Sequence, residues 1–155
     1  MFKFNFIYIP TNYNRVFECD LILIKHNSCD SKTTHTLYFY CKKENYLITI
    51  ESTSILIETL IENNDKTEYG LYLSISFLIK YFKAKISKII ILNCSCCQIY
   101  IEHKFKQFQI HIALEDALIL AKLDNCKMYM TENIISDFGI KITKELLEKA
   151  LNSSD

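Results

Sequence analysis

Hydrophobic and polar positions alternate with a period of two over much of the first third of the chain. Residues 25–36 (KHNSCDSKTTHT) interrupt the alternation with polar and turn-forming types, so this segment predicts an exposed hairpin loop. The motif KKEN at residues 42–45 predicts a second turn. Around these two turns the alternation predicts β-strands at residues 2–9, 16–24, 37–41 and 46–50.

The spacing of apolar residues becomes helical near residue 52. Residues 52–61 predict a helix with Ser52 or Thr53 as its N-cap, and residues 63–65 (Asn-Asn-Asp) predict its end. Residues 71–82 predict a second helix. Because this second helix is apolar on most sides, we expect it to be buried.

The rest of the chain continues with short strands and helices. Gly139 is expected to close the helix before it as a left-handed cap. The tail is amphipathic, with four apolar side chains on one face, so it either packs on the domain or meets a partner. The predicted strands are 85–92, 98–103, 105–112 and 128–130, the predicted helices are 114–123, 132–138 and a C-terminal helix within 141–151, and the apolar face of the tail comprises Ile142, Leu146, Leu147 and Leu151.

An internal match decides the predicted architecture. LITIESTSILIETLI (residues 47–61) and QIHIALEDALILAKL (residues 109–123) superpose with a constant offset, and Ser54 falls on Asp116. The match predicts an α+β domain of duplicated strand-strand-helix units, with antiparallel sheet and helices packed on it. We expect one domain over residues 1–140, followed by a C-terminal amphipathic helix and a short tail over residues 141–155.

Two adjacent carboxylates, Glu115 and Asp116, lie where the spacing of apolar residues changes from the period of a strand to that of a helix. They could orient a water molecule or a divalent metal such as magnesium for phosphodiester attack. However, adjacent residues on a helix point about 100 degrees apart, and negative charge in a first turn also stabilises the helix dipole. The sequence favours the helix-start interpretation. His111, three residues before the predicted helix, is a candidate general base. It alternates with Ile110 and Ile112, so we expect its side chain to face away from the core.

A basic cluster lies between the second helix and the next strand. Lysine and aromatic residues together can bind single strands by charge attraction and stacking. The alternative is a solvated helix end, where basic residues complement the dipole. The cluster comprises Lys80, Lys83, Lys85 and Lys88, with Tyr81 and Phe82 among them.

Composition and charge exclude several functions. The 18 basic and 18 acidic residues balance and Arg15 is the only arginine, so the chain lacks the broad basic field of a dedicated nucleic-acid binder.

The motif NCSCCQ (residues 93–98) lacks the two separated pairs of a structural zinc site, so we expect reduced thiols and no metal there. Two glycines cannot build a Gly-rich phosphate loop. No apolar run approaches the roughly 18 residues that span a bilayer, so we expect a cytoplasmic protein without membrane contact.

The segment ALEDALILAKLDNCKMYMTENIISDFGI (residues 113–140) resembles the C-terminal signature of the bifunctional nuclease (BFN) family. That signature is a strand, Asp-x-Arg-x-Ser-Asp-Ala, an apolar helix, an Asn-Cys-Pro-Ile-Tyr-like strand and a short acidic helix ending in Ala-Gly-Ile. The matching positions are Asp116-Ala117, Asn125-Cys126, Met128-Tyr129, Glu132 and Gly139-Ile140.

The resemblance extends over about residues 46–140, and the departures fall on polar family positions. Residues 46–61 correspond to a strand followed by Gly-x-x-Glu-Ala and a helix, and residues 71–92 to a helix beginning Leu-Thr-His-Asp-Leu and a strand. The departing positions are Ser54 for Glu, Tyr72-Leu73 for His-Asp, His111 for the leading Asp, Ala113 for Arg and Glu115 for Ser.

The resemblance implies a nuclease that hydrolyses phosphodiester bonds in RNA and DNA. The candidate catalytic residues are then Asp116, Glu115 and His111. Asp116 comes first, because it is the one of these three that retains the family residue. The alternative is a degenerate member that keeps the fold as a binding or structural protein, assembled as a homo-oligomer, without catalysis. The departures at polar positions are the feature that separates these two hypotheses.

Overall fold

A computed structural model describes residues 15–29, 32–61 and 70–152, which form an α+β fold, as the sequence predicts. Within these residues, eight strands form one mostly antiparallel sheet that carries five helices. The strands are β1 (Val16–Cys29), β2 (Lys32–Cys41), β3 (Tyr46–Ser52), β4 (Ala84–Ile91), β5 (Cys96–His103), β6 (Lys106–Ala113), β7 (Met128–Thr131) and β8 (Gly139–Lys141). The helices are α1 (Leu56–Ile61), α2 (Gly70–Tyr81), α3 (Leu114–Asp124), α4 (Glu132–Phe138) and α5 (Lys144–Asn152). The predicted strand at residues 2–9 and the predicted helix end at residues 63–65 lie outside the described residues.

The predicted duplication corresponds to two antiparallel meanders, each followed by a helix. The strand order is β6-β5-β4-β7-β1-β2-β3-β8, so β1-β2-β3 precedes α1 in one half and β4-β5-β6 precedes α3 in the other. Strand β7 joins the halves, antiparallel to β1 and parallel to β4. Both helices belong to one core because α1 and α3 contact each other.

Helix α1 begins later than the sequence predicts. Ser52 belongs to β3, where it pairs with His35 of β2, and is therefore not available as a helix cap. The cap is instead Ser54, whose Oγ accepts the Leu56 N–H at 3.3 Å while its carbonyl accepts the Ile57 N–H at 3.2 Å. The strand thus ends two residues later, at Ser52, and the helix begins four residues later, at Leu56, than apolar spacing alone predicts.

Residues 25–36 belong to a hairpin, as predicted, but the prediction that they form an exposed loop is wrong. Strands β1 and β2 continue through it as a ladder that pairs His26 with His35 and Cys29 with Lys32. Ladder hydrogen bonds involve only the backbone, so a polar strand is stable where a neighbouring strand pairs with it, and threonine favours strands. The hairpin therefore projects two paired strands, and only residues 30 and 31 separate them.

The main core lies on one face of the sheet. Ile89, Ile91, Cys97 and Ile99 are buried in one cluster with α3. Because side chains of a strand alternate between faces, the residue between the two β5 members of this cluster, Gln98, points to the opposite face. We call the side that carries α3 the helical face.

The expected burial of the second helix is wrong. Helix α2 packs on the core only through the side that carries Tyr72, Ile75 and Ile79, and Ser76 is the buried residue on that side. The other apolar side chains of this helix are exposed, because no described element of the core covers them. The apolar spacing of a helix does not reveal whether another element packs on it. The exposed residues are Leu71, Leu73, Phe77, Leu78 and Tyr81.

The C-terminal part contains one further difference from expectation. Gly139 follows α4 with φ −78° and ψ 127°, which is extended rather than left-handed backbone, because it pairs with Ile48 as the first residue of β8. Helix α5 packs through Leu147, whereas Leu146 remains exposed. No helix among the described residues is both long and apolar enough to cross a membrane.

Candidate functional site

The two adjacent carboxylates lie in the first turn of α3, as the sequence predicts. Ala113 precedes the helix without a side-chain cap, so the charges of Glu115 and Asp116 are the groups that complement the exposed N–H groups of this end. Such a placement stabilises a helix by about 0.3–1 kcal/mol per charge. The position of both carboxylates in the first turn of α3 therefore agrees with the helix-start interpretation.

Each carboxylate also has a partner from a distant part of the chain. Ser52 of β3 donates its hydroxyl to Glu115 Oε1 at 2.5 Å, and Tyr72 of α2 donates its phenol to Asp116 Oδ1 at 2.6 Å. The partners lie on different elements, so each carboxylate is held by a partner of its own. Burial and then the bond to Asp116 raise the pKa of Tyr72 to about 12, so its phenol remains a donor at neutral pH.

The third candidate catalytic residue, His111, does not join this pair. It is exposed and pairs with Gln98 across the β5–β6 ladder. Gln98 faces away from the helical face, and cross-strand partners share a face, so the His111 side chain also points away from α3. The structure thus brings Glu115 and Asp116 to one helix end and places His111 on the other side of the sheet.

The four lysines of the basic cluster do not form one surface. Lys80 pairs with Asp124 of α3 at 2.7 Å on the helical face. Lys85 pairs with Glu102 at 3.2 Å, and Lys88 Nζ lies 4.5 Å from the centre of the Tyr100 ring, both on the opposite face. Lys83 follows α2 in left-handed backbone (φ 56°). Charge attraction to a phosphate would therefore compete with the existing partners of three of these lysines.

The cysteine-rich turn is built around a buried thiol. Cys97 is buried in the core, and burial raises the pKa of its thiol well above the usual range. Burial likewise raises the pKa of Cys126 to about 11. Both thiols are protonated at neutral pH, so they act as small apolar side chains.

A cluster that sequence reasoning missed lies on the first hairpin. His26 of β1, His35 of β2 and Glu58 of α1 each offer a ligand atom, and these atoms lie within 4.8 Å of one another. The two imidazole rings meet edge to face, with centroids 5.2 Å apart and planes at 62°. His26 is exposed, Glu58 is half-buried and His35 is only 1% exposed. The cluster is therefore open to solvent on one side and closed on the other.

The buried ring of His35 has no hydrogen bond to the described part of the chain. Among those residues its Nδ1 has no partner, and its Nε2 lies 3.8 Å from Glu58 Oε1, beyond hydrogen-bond distance. A buried polar group without a partner costs about 1–3 kcal/mol. A signal in the sequence could have revealed the pair: in a hairpin whose strands pair Cys29 with Lys32, His26 and His35 are cross-strand partners by counting alone.

No protein-family model matches the chain, and no curated protein matches it. The BFN resemblance therefore rests on the motif positions themselves. Three of those positions, 72, 115 and 116, carry the hydrogen-bonded groups at the start of α3.

Proposed function

We propose that this chain is a degenerate BFN-like domain and a nuclease that hydrolyses phosphodiester bonds in RNA and DNA in the cytoplasm. The observation that carries the proposal is the contact between Tyr72 and Asp116. Both residues occupy polar positions of the family pattern, and they meet at 2.6 Å although they are 44 residues apart. Motif positions that are distant in sequence but adjacent in space are typical of an active site.

Asp116 is the proposed general base. Tyr72 occupies its Oδ1, and no described residue donates a hydrogen bond to Oδ2, so Oδ2 can accept the proton of an attacking water. The oxygen of that water bonds to phosphorus while the bond from phosphorus to the leaving alcohol breaks. The alcohol oxygen takes up a proton from solvent, and Asp116 returns to solvent the proton that it accepted. Glu115 would supply a carboxylate ligand to a divalent cation such as Mg²⁺, which would stabilise the negative charge that develops on the phosphate. Lys80, which lies on the same face of the sheet as Asp116, provides positive charge for the strand in competition with its contact to Asp124.

The experiment is cleavage of end-labelled single-stranded RNA and DNA by the purified protein, with magnesium, with manganese and with chelator. We expect cleavage by the native chain and a loss of about 100-fold or more in Asp116→Asn, because general-base catalysis contributes about that much. Asp137→Asn is the matched control, because Asp137 is an exposed carboxylate on α4. Circular dichroism should show both variants folded.

Equal cleavage by Asp116→Asn and the native chain would contradict the role of Asp116. A native chain that cleaves neither strand would contradict the nuclease itself. If such a chain still retards a labelled strand in a gel, the BFN-like domain binds nucleic acid without cleaving it.

A second candidate function is a catalytically inactive structural protein that assembles with another copy of itself. The observation that favours it is an exposed apolar surface, which we call the α2 surface. Leu78 and Phe82 lie with Phe108 around a depression of about 380 Å³, and Phe77 and Tyr81 stack beside it with ring centroids 6.2 Å apart. Exposed apolar patches of this kind mark interfaces. The net charge of the chain is zero, so overall charge does not oppose association with a second copy, and in a two-fold dimer the same patch would meet itself.

Light scattering with size-exclusion chromatography tests this candidate. We expect the mass of two chains for the native protein and of one chain for Phe77→Glu, because a buried unpaired carboxylate is strongly unfavourable. Ile140→Glu is the control, since Ile140 is equally exposed on β8 at the far edge of the sheet and should leave the dimer intact. A native chain that remains single at high concentration excludes self-assembly.

A further inference from the structure

We propose that His26, His35 and Glu58 form a binding site for one divalent transition-metal ion of the Zn²⁺ class. The site is built from three elements: β1 and β2 contribute the histidines from facing positions, and α1 contributes the carboxylate from above. Facing residues of an antiparallel pair have Cβ atoms about 4.5–5.5 Å apart, so both imidazoles reach the same point.

The distances in the site suit coordination after small adjustments. A tetrahedral ion with bonds of about 2.0–2.1 Å holds its ligand atoms about 3.4 Å apart. His35 Nε2 and Glu58 Oε1 already lie 3.8 Å apart, and the largest separation in the group is 4.8 Å. His26 is exposed and Glu58 is half-buried, so both side chains can rotate by the remaining ångström without disturbing the core.

The condition of His35 is a second and independent observation. The ring is buried, Nδ1 has no hydrogen-bond partner, and Nε2 has only the distant carboxylate. A metal-bound histidine directs the lone pair of a neutral ring at the ion. A buried imidazole without a hydrogen bond is otherwise unusual in a folded protein. A cation bound by one nitrogen of His35 would give the ring a partner that the described residues do not provide.

The chemistry of the ligands determines the class of ion. Two imidazoles and one carboxylate are the ligands of catalytic zinc sites and of the facial triad of non-haem iron, and nitrogen ligands disfavour Mg²⁺ and Ca²⁺. Three protein ligands leave further positions to water, and the exposed side at His26 gives access to it. The proposed site therefore differs in kind from the magnesium that the Glu115–Asp116 pair could hold, and it does not depend on nuclease activity.

The test is metal binding by the full chain, dialysed against chelator and then titrated with Zn²⁺ in competition with a chromophoric chelator. We expect one ion per chain and an affinity reduced by about 100-fold or more in His26→Gln and in Glu58→Gln, since loss of a direct ligand exceeds the 10–100-fold effect of supporting residues. Both variants alter groups that are not fully buried, so they should fold. His103→Gln, a half-buried histidine on β5, is the matched control and should bind as the native chain does.

Titration with Co²⁺ identifies the ligands by their spectrum. We expect visible ligand-field bands without the intense near-ultraviolet charge-transfer band of thiolate ligands. A thiolate band would assign the ion to cysteines and overturn the proposal. The proposal also fails if the native chain binds no stoichiometric ion, or if His26→Gln and Glu58→Gln bind with unchanged affinity.

Discussion

Phe39→Ala is expected to lower the free energy of unfolding by about 3–5 kcal/mol, whereas Phe77→Ala is expected to change it by less than about 0.5 kcal/mol. Phe39 is 0% exposed in β2 and belongs to the core cluster, so its removal leaves a cavity. Phe77 is 66% exposed on α2, and alanine favours helices more than phenylalanine does. Urea unfolding followed by circular dichroism measures both changes, provided that the dependence on urea is the same in each protein.

The pair of variants also tests the exposure of α2. If Phe77→Ala costs as much as Phe39→Ala at low protein concentration, the α2 surface is buried within a single chain and the exposure described above is wrong. A cost that appears only as the concentration rises would instead assign the burial to a second copy, since assembly makes stability depend on concentration.

The strands that could be predicted are those in which one face is buried. In β3 the buried residues Ile48 and Ile50 alternate with more exposed neighbours, so apolar residues recur at every second position of the sequence. The outer part of the first hairpin has no alternation of apolar residues, because backbone pairing holds its polar residues in place. The sequence therefore does not predict strands there. Helix α2 was located correctly, but its burial depends on which elements pack against it, and apolar spacing does not report that.

The candidate site was predictable only in its local part. At residue 114 the spacing of apolar residues changes from a period of two to a helical period. This change locates Glu115 and Asp116 at a helix start, and α3 begins there. Their partners, Ser52 and Tyr72, are 63 and 44 residues away and become neighbours only when the two halves pack together. The histidine pair depends on the register of one hairpin, and a one-residue shift of that register would separate the rings.

Gly139→Ala is expected to destabilise the fold by about 1–3 kcal/mol, and Gly70→Ala to leave it unchanged or stabilise it by up to about 1 kcal/mol. A Cβ at position 139 would overlap the carbonyl oxygen of Ile135 and lie 3.1 Å from Tyr46 Cδ1. That oxygen is backbone and already accepts the N–H of Gly139, so it cannot move aside without loss of the turn between α4 and β8. A Cβ at position 70 would meet nothing within 4 Å, and alanine there favours the helix.

A third variant, Gly139→Asn, distinguishes crowding from backbone strain as the reason for this glycine. Asparagine tolerates left-handed backbone, so a left-handed cap would accept it with little loss. In the extended backbone of Gly139 its Cβ meets the same carbonyl as that of alanine, and we expect an equal or larger loss. Thermal unfolding of the three variants separates the two cases. A chain that tolerates asparagine but not alanine at this position would have the left-handed turn that the sequence predicts, and β8 could not then pair with β3 as described.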